Sequence, residues 1–226
     1  FRMLPKVVWE MPAYGTFNLH ASLLPDYRGA APINWAIING EKQTGVTTFF
    51  IDDKIDTGAM ILSRSTEIDP RENAGQLHDR LMEIGSLAVI ETLELIERGN
   101  VNTTIQPENH NLRTAYKLNR ENCKIDWQAS GETIYNLIRG LSPYPAAWCF
   151  FADADQEWNV KIYEAEFIRE PHTYDIGSVL TAKKSLSIAV KDGWIQILSL
   201  QLPGKKRMSV SELLNGVSFT EKARAY

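Results

Sequence analysis

The apolar positions of the chain fall into short runs, and the spacing of the runs changes part-way along. Thr16–Leu19 is a short apolar run that reads as a strand end. Residues 21–32 contain Pro25, Gly29 and Pro32, which exclude a regular element there. Pro32 suits the first turn of a helix over PINWAIING, stopped by Asn39-Gly40. GVTTFFI (45–51) is β-branched and aromatic, the composition of a buried strand. A polar loop (52–58) then leads to a second strand, AMILSRS (59–65). From about Asn73 to Arg98, Leu77, Leu81, Ile84, Ala88, Leu95 and Ile96 keep an approximately helical stripe, and Gly99 is a natural terminator. These elements predict an open sheet with helices packed against it.

Residues 100–122 are rich in Asn and poor in large apolar side chains, and read as a linker with a domain boundary near 110–118. Beyond it, Ser130 is an N-cap for ETIYNLIRGL, whose Ile134, Leu137, Ile138 and Leu141 share one face. Five short apolar runs follow: AWCFF, WNVKIYEAEFI, GSVLTA, SLSIAV and WIQILSL. Lys191-Asp192-Gly193 between the last two predicts a tight hairpin. Closely spaced short strands predict a small β-barrel or sandwich.

Composition narrows the class. The 226 residues are 44% hydrophobic and 23% charged, which argues against disorder. No apolar run nears the ~18 residues that span a bilayer, and the opening residues lack the apolar stretch of an export signal. Two cysteines, Cys123 and Cys149, make neither a disulfide framework nor a cysteine zinc site, so a reducing cytoplasm is expected. The formal charge of -4 is uneven. Residues 1–110 carry 9 basic and 15 acidic side chains, and residues 111–226 carry 15 and 13. Contact with a polyanion is therefore expected in the second half. The chain begins at Phe1, within what reads as the exit of an element already under way.

Candidate chemistry concentrates at Asn18-Leu19-His20. In a strand, positions 18 and 20 share a face, so a carboxamide and an imidazole project together. The carboxyl end of such a strand is where open α/β sheets bind ligands. A carboxamide N–H can hold a carbonyl oxygen that is becoming an oxyanion, and an imidazole can polarise it or move a proton. Asp56, in the loop after the buried strand, could orient His20 and relay a proton.

FNLHASLLPDYRGAAPINWAI followed by TGVTTFFIDDKIDTGAMI resembles the folate-dependent formyltransferases. Asn18, His20 and Asp56 fall on that family's catalytic Asn–His–Asp set, and Ser22, Leu23, Leu24 and Pro25 on its folate-site segment. Tyr27–Ile33 (YRGAAPI), KLNRENCKIDWQASGETIYNLIRGLSPYPAAW and Pro203–Met208 look most like the methionyl-tRNA branch. The resemblance implies a partial Rossmann-like formyltransferase domain (1–112) followed by a small OB-like β-barrel that positions tRNA (113–226). It implies transfer of the formyl group of 10-formyltetrahydrofolate to the α-amino group of methionyl-initiator tRNA, without a metal, by a cytoplasmic monomer. Arg28 would line the pocket entrance. It further implies that the first half of the Rossmann-like domain lies ahead of Phe1, and that residues 1–226 alone transfer formyl groups poorly.

Lys205, Lys206 and Arg207, with Lys183 and Lys184, are candidate tRNA phosphate contacts, against a solvated charge run as the bland alternative. Trp148, Trp158 and Trp194 fit core packing better than base stacking. His78, His110 and His172 have no clustered partners and receive no metal role. Two competing readings remain: a formyltransferase acting on a small amine or nucleotide sugar, and a non-catalytic RNA-binding module using the second half alone.

Overall fold

A computed structural model describes residues 4–107 and 111–226. In chain order the elements are α1 (Lys6–Trp9), β1 (Phe17–His20), β2 (Arg28–Gly29), α2 (Pro32–Ile38), β3 (Gln43–Phe50), β4 (Met60–Glu67), α3 (Ala74–Glu97) and β5 (Thr114–Ala115). They continue with α4 (Gly131–Leu141), β6 (Ala147–Asp153), β7 (Gln156–Ile168), β8 (Val179–Ala182), β9 (Ser185–Val190), β10 (Gly193–Gln201), β11 (Met208–Ser209), α5 (Val210–Leu213) and β12 (Arg224–Ala225). The chain divides into two compact units. The first comprises residues 1–36, 41–72 and 76–117, and the second residues 37–40, 73–75 and 118–226.

The first unit is built on a three-stranded sheet in the order β1-β3-β4, with both pairings antiparallel. The β-branched run of β3 explains its central place: Thr44 to Phe49 are all buried. α3 covers one face of this sheet. Gly85 has no side chain where Leu19 packs, and Thr92 hydrogen-bonds Thr48 at 2.8 Å. Leu19 and Thr48 are cross-strand partners in the register, so alternation sends Asn18 and His20 to the face away from α3. The stripe expected on α3 is the buried one: Leu77, Leu81 and Ala88 are inside, joined by Thr92.

The segment read as a linker packs in part against this unit. Thr104 forms a two-way backbone bridge with Met60, and β5 pairs in parallel with β2. That pairing carries the first unit through Lys117. Isolated polar residues have no periodic signal, and only the tertiary partners reveal their order.

In the second unit, Ser130 caps α4 by accepting from the Thr133 N–H, as its sequence predicts. The strands run β12-β6-β7-β10-β9-β8. β12 pairs with β6 on one side, and on the other it bridges through Arg224 to Ser178, just ahead of β8. The sheet thereby nearly closes into a barrel, which leaves little free edge. Its interior is continuous and apolar, with Ile134, Leu141, Phe151, Ile162, Ile188 and Ile195 fully buried. Cys123 and Cys149 are free thiols in this core, and burial raises both pKa values. Among the described residues no helix is long and apolar enough to cross a membrane.

Candidate active site

His20 ends β1 with its ring almost wholly buried, 7% exposed. Its Nε2 lies 2.8 Å from the Tyr27 carbonyl oxygen, which can only accept, so Nε2 carries the hydrogen. Nδ1 is then the nitrogen left to exchange a proton. It faces the Asp56 carboxylate, with Oδ2 at 3.7 Å. The same Oδ2 accepts from the Gly29 N–H at 2.9 Å. Both neighbours of the imidazole sit in left-handed backbone, Tyr27 at φ 60° and Asp56 at φ 54°. Non-glycine residues enter that region at a cost, and such residues cluster at functional sites.

Gly29 is required where it stands. Its φ is 121°, and an added Cβ would collide with the Ala115 carbonyl across the β2–β5 pair. The Asp56 turn is held from two further sides. Asp52 accepts from the Thr57 hydroxyl and the Lys54 N–H, and Gly58 fits against the Phe50 carbonyl only because it lacks a side chain. Asn18 lies on the same strand face and is exposed, and its carboxamide makes no hydrogen bond among the described residues. A donor in that state is free to meet a ligand oxygen.

The Ser22–Pro25 segment is anchored to the sheet through Thr47. The Thr47 hydroxyl donates to the Ser22 carbonyl at 2.8 Å and receives the Leu24 N–H at 3.2 Å. Ser22 and Leu24 are buried, and Ser22 turns its hydroxyl onto the Asp26 carbonyl. Arg28 is half-buried, and its Nε and Nη2 both donate to Gln106 Oε1, at 3.0 and 2.7 Å. Gln106 lies in the Asn-rich linker segment, and no spacing rule marks it.

The other candidates are dispersed. Lys205 and Lys206 are exposed. Arg207 is engaged by Ser199 and Glu164 and lies over the Tyr163 ring at 4.8 Å. Lys183 and Lys184 occupy the β8–β9 turn. Trp148 and Trp158 pack against the barrel core, while Trp194 contacts the rings of His172 and Tyr174. His172 is structural. Its Nε2 meets the carbonyls of Val190 and Gly193, and its Nδ1 accepts from the Tyr174 N–H. His78 Nδ1 lies 3.0 Å from the neighbouring Asp79 carboxylate, and His110 lies outside the described residues. Among the described residues no three His, Cys, Asp or Glu side chains cluster in a way that would hold a metal.

A buried imidazole–carboxylate pair thus shares a strand face with an exposed carboxamide, on a sheet that is followed in the chain by a barrel. Residues 1–93 match the formyl transferase family and residues 117–218 its C-terminal domain. A methionyl-tRNA formyltransferase of Flavobacterium johnsoniae is 69% identical over 226 residues, covering 100% of this chain and 72% of the relative. One from Bacteroides fragilis is 51% identical, covering 98% and 70%. The chain belongs to the methionyl-tRNA formyltransferase family. Among solved structures, a sugar 3N-formyl transferase crystallised with dTDP and 5-N-formyl-THF superposes with a TM-score of 0.63 at 25% identity, over 84% of this chain and 66% of that one. HypX from Aquifex aeolicus superposes at 0.71 with 24% identity, over 97% and 39%, which shows the shared fold.

Proposed function

We propose that Asn18, His20 and Asp56 carry the transfer of a formyl group from 10-formyltetrahydrofolate to the α-amino group of methionyl-initiator tRNA. The observation that carries this reading is the buried His20–Asp56 pair at 3.7 Å, on the strand face that also presents Asn18. The methionine amine attacks the formyl carbon, a C–N bond forms and the carbonyl oxygen becomes an oxyanion. Asn18 donates to that oxygen. His20 Nδ1 handles the proton that the amine must lose, and the Asp56 carboxylate stabilises the imidazolium. Collapse breaks the bond to the folate N10, which leaves with a proton as tetrahydrofolate. No covalent enzyme intermediate is needed. The backbone of Ser22–Pro25 shapes the folate side of the pocket, and Arg28 lines its entrance.

Relatives that match this chain over nearly its whole length carry the methionyl-tRNA name, which favours tRNA over a sugar-nucleotide acceptor. The barrel supplies the tRNA-positioning surface in this reading, with Lys205 and Lys206 as phosphate contacts. Arg207 contributes less, because Glu164 already neutralises it. The protein acts as a monomer in this reading, and its product serves translation initiation in the cytoplasm.

Single-turnover formylation of the full-length protein tests the catalytic set. His20→Ala and Asp56→Ala are expected to lower the rate about 10²–10⁴-fold, the scale of a positioned acid–base group. Asn18→Ala is expected to cost about 10²–10³-fold, as for one oxyanion donor. Rates near wild type in all three would overturn the assignment.

A further inference from the structure

Gln106 is only 5% exposed, although it stands in a polar segment without periodic pattern. Its carboxamide is used at both ends. Nε2 donates to the carbonyl oxygens of Asp56 at 3.0 Å and Gly58 at 2.8 Å. Oε1 accepts from Nε and Nη2 of Arg28. Carbonyls only accept and a guanidinium only donates, so the amide has one allowed orientation. The Thr104–Met60 bridge delivers it there, two residues ahead in the chain.

These contacts form a closed ring. Gln106 holds Arg28, Gly29 follows Arg28, the Gly29 N–H holds the Asp56 carboxylate, and the Asp56 carbonyl returns to Gln106. The ring has a physical reason. Asp56 is a non-glycine residue at φ 54°, a conformation that its surroundings must enforce. Releasing the Asp56 and Gly58 carbonyls would let the turn relax and move Oδ2 away from His20 Nδ1. We propose that Gln106 is a positioning residue for formyl transfer, tying the Asp56–Gly58 turn to Arg28 so that the Asp56 carboxylate stays in register with His20. The proposal rests on the reading that Asp56 and His20 carry the chemistry.

Two variants of the full-length protein separate the ends of the amide. Gln106→Glu keeps an acceptor for Arg28 but presents oxygen to two carbonyls. Gln106→Met keeps the length and loses both functions. In Gln106→Glu, kcat is expected to fall about 10–100-fold, the scale of an ~1 Å misplacement, while KM for the formyl donor changes by no more than about threefold. In Gln106→Met, kcat falls similarly and KM for the donor rises as Arg28 is released. If Gln106→Met fails to fold, as judged by circular dichroism, Gln106→Glu decides alone.

A double-mutant cycle with Asp56→Asn gives the readout that a merely structural role would not move. Once Asp56 is disabled, adding Gln106→Glu is expected to slow single-turnover transfer by less than about threefold further, because coupled residues are not additive. A wild-type kcat in Gln106→Glu, or losses that multiply in the double variant, would overturn the proposal. Asp56→Asn at the wild-type rate would instead remove the catalytic reading, and this proposal with it.

Discussion

Inside the barrel, Phe151, Ile162, Ile188 and Ile195 belong to one continuous apolar core. Around His20 the buried contacts are hydrogen bonds: Tyr27 carbonyl to imidazole, Gly29 N–H to Asp56, Gln106 to two carbonyls and a guanidinium. Apolar burial is non-directional and shared among many neighbours, so it fixes a shape. Hydrogen bonds are directional and few, so they fix the positions of particular atoms. Mutations in the barrel are therefore expected to show in stability and, on the proposed reading of His20 and Asp56, those in the corner around His20 in rate.

The sharpest way to break that contrast is to empty the barrel. Phe151→Ala removes a fully buried ring and is expected to cost about 3–5 kcal/mol in denaturant unfolding. A loss under about 1 kcal/mol would mean that the core does not carry the unit. Gly29→Ala addresses the other side. It strains a φ of 121° and drives a methyl group into the Ala115 carbonyl, beside the N–H that holds Asp56. Turnover is expected to fall at least about tenfold, with a stability cost of about 1–3 kcal/mol measured in parallel.

A smaller effect concerns the barrel surface. Lys205→Ala/Lys206→Ala should make the dependence of log K for tRNA on log salt shallower by about 0.7–0.9 per lost phosphate contact. Arg207→Ala should shift it less, since Glu164 already holds that guanidinium. An unchanged slope for the lysine pair would return them to ordinary surface charge.

The smallest effect tests whether the barrel is wholly apolar in its logic. Asp153, at the end of β6, accepts from the Thr220 hydroxyl at 2.5 Å and from its backbone N–H at 2.8 Å. The hydroxyl, and then the N–H, hold the Asp153 carboxyl below its ordinary value. A carboxyl lowered on folding stabilises above its unfolded pKa, and the contribution is lost as pH falls through the lowered folded value. The stability gap between wild type and Thr220→Val should therefore narrow in acid urea melts as pH drops below about 4. A gap constant with pH would mean that the Asp153–Thr220 pair does not stabilise the fold through the ionised carboxyl.

Much of this was legible in the sequence, for reasons that differ by element. β3, α3 and α4 declare themselves through β-branched runs, an apolar stripe and a capping serine, all local signals. His20 and Asp56 stand out through the resemblance and the two-residue period of β1. Gln106 has no such signal, because its partners lie 50 and 78 residues away and nothing periodic surrounds it. The left-handed turns at Tyr27 and Asp56 were equally hidden, since that conformation is usually announced by glycine. Barrel closure by β12 rests on two residues, too short for any pattern. The antiparallel pairing of the three strands in the first unit also had to be seen, because a buried strand reads alike in either direction.

The parallel pair of Arg28–Gly29 with Thr114–Ala115 carries a consequence for timing. A ribosome releases the chain from its amino end, so His20, the Asp56 turn and both flanking strands emerge well before Gln106 and Ala115 exist. Contacts of such long sequence separation are late and slow to form. Until the chain has grown past residue 115, the guanidinium of Arg28 and the carbonyls of Asp56 and Gly58 wait for their partner. The nascent protein thus acquires its strands first, and the ring of contacts around Asp56 only when the segment after α3 has returned to it.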